Sequence, residues 1–216
     1  MTDIIVIGGG IAGLSAAARL SPDARVTLLE MESATGYHAS GRSAALIEEN
    51  YGAPSVQALN RASMEHFTQG GYLTQRGLLI VAQADEAEGF DADLAHMGIE
   101  RMSPAEAIEL VPILDPSRTA FAGYHPEAFD IDTDRLMQDF IRVIRANGGQ
   151  VVTGAAVTAI RQDAQGWHVK AGGEYSARTL VNAAGAWADL VAGIAGVTPL
   201  RIIPHRRSMA RLAAPG

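Results

Sequence analysis

The chain predicts an α/β fold: a Rossmann-like dinucleotide-binding domain interrupted by an inserted, incomplete α+β domain. Three observations carry this. A short apolar run, Ile4-Ile5-Val6-Ile7, breaks into Gly8-Gly9-Gly10-Ile11-Ala12-Gly13 and then a small-residue helix. A second apolar run, Val26-Thr27-Leu28-Leu29, ends in the acid Glu30. Beyond about residue 48 the pattern changes, and it returns to alternating helix and strand near residue 129.

Each element has a local reason. Gly8 permits a tight turn, Gly10 lets the backbone approach a pyrophosphate, and Gly13 lets the helix pack on the strand. Residues 11–20 form that helix until Ser21-Pro22-Asp23 ends it. Its first N–H groups, with Ile11 and Ala12 leading, and its positive dipole end suit phosphate oxygens. Residues 26–29 read as a strand buried on both faces. Glu30 follows Gly13 by seventeen residues, where a carboxylate accepts hydrogen bonds from ribose hydroxyls and disfavours a 2′-phosphate, which argues against NADP.

Residues 31–42 are a polar, glycine-containing loop, and 55–67 have helical spacing. A short strand follows at 77–81. Ser103-Pro104-Ala105-Glu106 is a capping box with proline at the first helical position, opening a helix to about Val111. A turn-rich stretch, 112–126, holds a strand at 121–124. Asp132 or Thr133 caps a helix that runs to about Arg145 and stops at Asn147-Gly148-Gly149. Strands at 151–152, 156–161 and 167–171 lead to a hairpin turn at Gly172-Gly173. A buried strand at 179–182 precedes Ala183-Ala184-Gly185 and a helix to about Ala195, and a further strand starts at Leu200. The expected domains are therefore 1–47 with 129–196 for the nucleotide, and 48–128 with 197–216 for a partial substrate domain.

Composition narrows the function. The 216 residues are 48% hydrophobic and 19% charged, as in ordinary globular chains. A formal charge of −7 without a long basic run argues against a nucleic-acid surface. The absence of cysteine excludes disulfides, cysteine metal sites and thiol catalysis, and no metal is expected. No apolar run reaches the ~20 residues that a bilayer crossing needs, and residues 1–7 lack a signal peptide's basic start. A cytoplasmic location is the default expectation, with peripheral attachment to an inner membrane left open.

Three further segments carry a resemblance: Gly36-Tyr37-His38-Ala39-Ser40-Gly41-Arg42-Ser43-Ala44-Ala45, Asp130-Ile131-Asp132-Thr133-Asp134, and Leu180-Val181-Asn182-Ala183-Ala184-Gly185-Ala186-Trp187. With the glycine turn and Glu30, the whole chain resembles the FAD-dependent D-amino-acid oxidase family, and within it the D-arginine dehydrogenase-like members. The resemblance implies FAD, where the glycines alone leave NAD and FAD open. It implies a loop of Ala39, Ser40, Gly41, Arg42, Ser43, Ala44, Ala45 and Leu46 passing under the flavin. Ser40 and Ser43 can donate to phosphate oxygens there, and the alanines leave room for a flat ring. It also places Met31 beside Glu30, Val157 by the adenine, and Ala184 and Gly185 by the pyrophosphate. Tyr51 matches a tyrosine over the substrate pocket. Arg207 matches an arginine that pairs with the substrate carboxylate, a task suited to a guanidinium fork.

The activity implied is oxidation of a D-amino acid at its Cα–N bond, with hydride passing to flavin N5 and the imino acid hydrolysing to a 2-oxo acid. The electron acceptor, a respiratory-chain quinone or oxygen, is open. Two departures favour an apolar substrate. Leu46 and Leu78 stand where arginine-type members carry polar or acidic residues, and a cationic side chain needs an acid to offset its desolvation. His38, without a visible orienting carboxylate, reads as structural, and no acid–base pair is apparent. Family members are longer, so the chain reads as an N-terminal portion that alone is not a competent enzyme. The alternatives are an FAD-dependent hydroxy-acid or glycerol-phosphate oxidoreductase, and a non-catalytic dinucleotide-binding fragment.

Overall fold

The computed structural model describes residues 2–206. In chain order the elements are β1 (Ile4–Ile7), α1 (Ile11–Leu20), β2 (Val26–Leu29), β3 (Leu46–Ile47), α2 (Pro54–Gln69), β4 (Leu73–Gln75), β5 (Leu78–Ala82), α3 (Ala87–Met97), β6 (Glu100–Met102), α4 (Pro104–Leu110), β7 (Phe121–His125) and β8 (Phe129–Ile131). There follow α5 (Thr133–Ala146), β9 (Gln150–Val152), β10 (Ala159–Asp163), β11 (Gly166–Lys170), β12 (Glu174–Ala177), β13 (Thr179–Asn182) and α6 (Ala188–Ile194).

These form two units. Unit 1 takes the described residues up to Ala44 and from Thr133 onward, and unit 2 takes 45–132. The crossings thus fall at 44/45 and 132/133, not at 47/48 and 128/129. The reason is pairing: β3 and β8 are antiparallel partners, Leu46 opposite Asp130 and Ile47 opposite Phe129, so both belong to the insertion. The described part of 197–216 lies with unit 1.

Unit 1 is built on a parallel sheet of order β13-β1-β2-β9. The apolar runs are explained by burial on both faces. From one face, Ile5, Ile7 and Leu29 pack with Val169, Ala171, Ala177 and Val191, which come from β11, its hairpin turn, β12 and α6. By strand alternation Val6 and Leu28 project from the other face, and both are fully buried. Helix α5 is strongly amphipathic, with Leu136, Met137, Phe140, Ile141 and Ile144 buried. It packs along α1. The three-stranded antiparallel sheet β10-β11-β12 completes the unit.

Two expectations for unit 1 are corrected. The strand foreseen at 156–161 begins at Ala159, which leaves Val157 in the preceding irregular segment. Residues 200–206 are not in a strand. Instead the Asp189 carboxylate accepts the Leu200 N–H (2.9 Å) and the Ile202 N–H (2.8 Å), holding the backbone without a ladder.

Unit 2 has two antiparallel sheets, β3-β8-β4 and β5-β7-β6. Its core is Phe90, Leu94, Met97 and Ile99, with Leu78, Ile80, Ala82 and Phe121 packed against it. The foreseen capping box forms: Ser103 Oγ accepts the Glu106 N–H, and the Glu106 carboxylate accepts the Ser103 N–H. Helix α3 and the short strands β3, β4, β6, β8 and β12 escaped the sequence reading. Helix α3 carries Gly89 and several acids among its turns and shows little polar–apolar contrast, so its packing on β5 and β7 decides it.

Candidate functional site

Unit 1 contains a cavity of about 290 Å³ at the glycine turn. Its floor is the end of β1, its sides are the 36–40 loop and residues 155–157, and its far wall is the Ala183–Trp187 turn with α6.

The glycines divide the work. Gly8 has φ +113, and a Cβ there would stand 2.3 Å from the Ala183 carbonyl oxygen. Gly13 approaches the Gly8 carbonyl so closely that a Cβ would stand 1.9 Å away, which is the tight helix–strand contact foreseen for it. Gly10 differs. Its φ of −79 suits any residue, and an added Cβ would meet only Ser40 Oγ, at 3.2 Å. Gly10 therefore keeps space open. Gly185, on the opposite wall, has no atom within 4 Å of the point a Cβ would take.

Glu30 is 8% exposed, and its carboxylate is already engaged. Oε2 accepts the Gly9 N–H at 2.6 Å and Oε1 accepts the Glu32 N–H at 2.9 Å. Each oxygen keeps a second acceptor position for a ribose hydroxyl. Gly9, not singled out from the sequence, is thus the residue that lets Glu30 reach the turn. Ser40 Oγ accepts the Ile11 N–H at 3.0 Å, taking one of the donors that α1 leaves unpaired at its start.

The structure brings Gly8, Gly10, Glu30, Met31, Ala39, Ser40, Val157, Ala184 and Gly185 to this cavity. Ile11, Ala12 and Gly13 sit in the first turn of α1 behind it. Gly41, Arg42, Ser43 and Ala44 do not line it. Arg42 lies 5.0 Å over the Tyr37 ring and donates to the Tyr37 carbonyl (2.9 Å), a packing role. Ala45, with φ +56, and Leu46 belong to unit 2. Tyr51 is 56% exposed and lines neither this cavity nor the unit 2 cavity described below. Arg207 lies outside the described residues.

One expectation about His38 is overturned. Its Nε2 lies 2.8 Å from Glu32 Oε1, and its ring sits 4.5 Å from Trp187. The loop folds back after the Glu30 anchor, so residues six apart in a polar stretch meet. No periodicity encodes that. His38 lines the cavity as a carboxylate-backed imidazole.

These features fit FAD. The glycine-turn backbone at the start of α1 and the Ser40 hydroxyl line one cavity with a buried carboxylate at the strand end, and a side chain at Gly10 would intrude on the space kept open there. Glycine turn, Glu30 and α1 would hold the ADP portion.

A second cavity, of about 430 Å³, lies within unit 2. Leu46, Leu78, Leu79, Leu110 and Val111 supply its apolar lining, with Arg76 and Tyr124. Arg76 is paired with Asp130 at 2.7 Å. Among the described residues no carboxylate lines this cavity, and no helix is long and apolar enough to cross a membrane.

Comparison with known proteins places this geometry. Residues 3–216 match the family model described as FAD dependent oxidoreductase. L-2-hydroxyglutarate dehydrogenase of Escherichia coli K12 is 32% identical over 234 aligned positions, covering 99% of this chain and 54% of the relative. The chain thus spans about half the length of that relative. Mitochondrial sarcosine dehydrogenase of Mus musculus is 29% identical, covering 94% of this chain and 25% of its own. In fold, glycine oxidase from Geobacillus kaustophilus superposes with a TM-score of 0.79 at 24% identity, over 90% of this chain and 58% of that one. The comparisons support the family and give no support to the D-arginine dehydrogenase subgroup. The chain belongs to the DAO family of FAD-dependent oxidoreductases, and its cofactor is FAD.

Proposed function

We propose that the protein oxidises an amino acid with an apolar side chain, of D configuration, at its Cα–N bond. The amine and the D configuration rest on the resemblance of the motifs, and the observation that carries the apolar preference is the unit 2 cavity. Leu46 and Leu78, distant in sequence, line it together, and its arginine is already paired with Asp130. A lysine- or arginine-like substrate would leave its charge without a carboxylate there, at a cost of several kcal/mol. FAD, when bound, supplies the two-electron acceptor. The chain's own residues bind and orient: the cavity takes the side chain, and Arg207 takes the substrate carboxylate. The test is kcat/KM for D-leucine or D-methionine against D-arginine. A clear D-arginine preference would sink the reading.

A second reading, oxidation of a 2-hydroxy acid, is favoured by the L-2-hydroxyglutarate dehydrogenase relative. It is also favoured by the Glu32–His38 pair, since a hydroxyl, unlike a neutral amine, must lose its proton as the Cα hydrogen leaves. Anaerobic bleaching of the flavin by L-2-hydroxyglutarate but not by D-leucine would select it.

A further inference from the structure

Glu48 and His125 form a buried pair that the nucleotide site does not use. The Glu48 side chain is 1% exposed and that of His125 20%. His125 Nδ1 lies 2.5 Å from Glu48 Oε2, and Glu48 Oε1 accepts the Asn50 N–H at 3.1 Å. A carboxylate this deeply buried persists only with partners, and here each oxygen has one.

The placement of the pair matters more than its energy. Glu48 directly follows β3, an edge strand of β3-β8-β4. His125 ends β7, the central strand of β5-β7-β6. These sheets share no ladder, so the pair is a side-chain tie between them. The same two sheets wall the unit 2 cavity. Leu46 lies two residues before Glu48. Leu78 is the cross-strand partner of His125, and Tyr124 precedes it.

We infer that Glu48 and His125 are positioning residues that set the spacing of the cavity's two walls, and through it the fit of the substrate side chain. This rests on the reading that the cavity receives the substrate. Neither residue lines the cavity, so the pair acts through Leu46, Leu78 and Tyr124.

Removing one partner alone would strand a buried charge or donor. The informative variant replaces both, Glu48→Met with His125→Leu, since an apolar pair of similar size is often neutral or stabilising. It is compared with His125→Asn, whose amide N–H can stand in for the ring Nδ1–H. In the full-length, FAD-loaded protein the double variant should keep its flavin and its Tm. Its KM for D-leucine should rise about tenfold, with kcat within about threefold, because a displaced wall loses contact with the side chain equally in the ground and transition states. His125→Asn should return KM to near the wild-type value. An unchanged KM in the double variant, or a kcat that falls as far as KM rises, overturns the inference. So does flavin loss in both variants, which would make the pair a general support of the unit. A wild-type protein inert to D-leucine counts against the substrate reading alone, and the same KM and kcat comparison is then made with L-2-hydroxyglutarate.

Discussion

The Glu30 carboxylate, at the end of β2, holds the turn that follows β1 by accepting the Gly9 N–H at 2.6 Å. The acid is therefore a staple of the glycine turn, beside the ribose contact expected of it. A Cβ at Gly9 would lie 2.8 Å from Glu30 Oε2 and 3.0 Å from Glu30 Cβ, so Gly9→Ala must displace the carboxylate. Loss of a hydrogen bond to a charged group costs roughly 1.5–3 kcal/mol. Thermal unfolding of the Gly9→Ala apoprotein should show that loss, and the purified protein should carry less FAD. Unaltered Tm with full flavin content would remove the staple role.

Gly10→Val separates space from conformation. The backbone at Gly10 suits valine's φ, and only Ser40 Oγ stands near the new Cβ. The apoprotein should unfold within about 1 kcal/mol of the wild type, the typical size of losing a favoured N-cap residue. Flavin absorbance, by contrast, should be lost. Stoichiometric flavin in this variant would mean that the pyrophosphate lies elsewhere. Gly13→Ala is the contrasting case: with a Cβ 1.9 Å from the Gly8 carbonyl, it should fail in the fold before it fails in binding.

Leu78→Glu tests the leucine-lined side of the unit 2 cavity directly. An acid placed among Leu46, Leu79 and Val111 would supply the partner that a guanidinium substrate lacks. The ratio of kcat/KM for D-arginine to that for D-leucine should rise about tenfold or more, equal to about 1.4 kcal/mol. An unmoved ratio would show that the cavity does not meet the substrate side chain.

Asp163 gives a pH dependence with a definite sign. The Gln165 N–H, the His168 ring at 2.9 Å and Arg161 together lower its pKa from the ordinary 3.8 to about 2. A folded value below the unfolded one adds stability that is present above about pH 4. It is lost as pH falls toward 2. Asp163→Asn should therefore lower Tm near neutrality and converge with the wild type at pH 2. Parallel Tm curves across that range would refute the assignment.

Much of unit 1, and one helix cap of unit 2, was legible because the signals are local. Four-residue apolar runs, the Gly8–Gly13 spacing, Glu30 and the Ser103–Glu106 cap each state their structure within a few residues, and each element formed near its expected place. The strands of two or three residues in unit 2 hold too few positions for alternation to show. Their existence depends on partners far along the chain, as Leu46 depends on Asp130.

The side-chain pairs divide in the same way. Residue types and spacing were enough to name the glycine turn and the acid at the second strand, since both have a fixed local backbone geometry. His38 with Glu32, Gly9 with Glu30, and His125 with Glu48 were beyond that reading. Each joins groups that a loop reversal or a sheet-to-sheet approach brings within hydrogen-bond distance. The last spans 77 positions, and no periodic pattern relates its members. Long-range contacts of this kind follow from how the layers pack. Packing is settled by burial summed over many residues, which no short stretch of sequence contains.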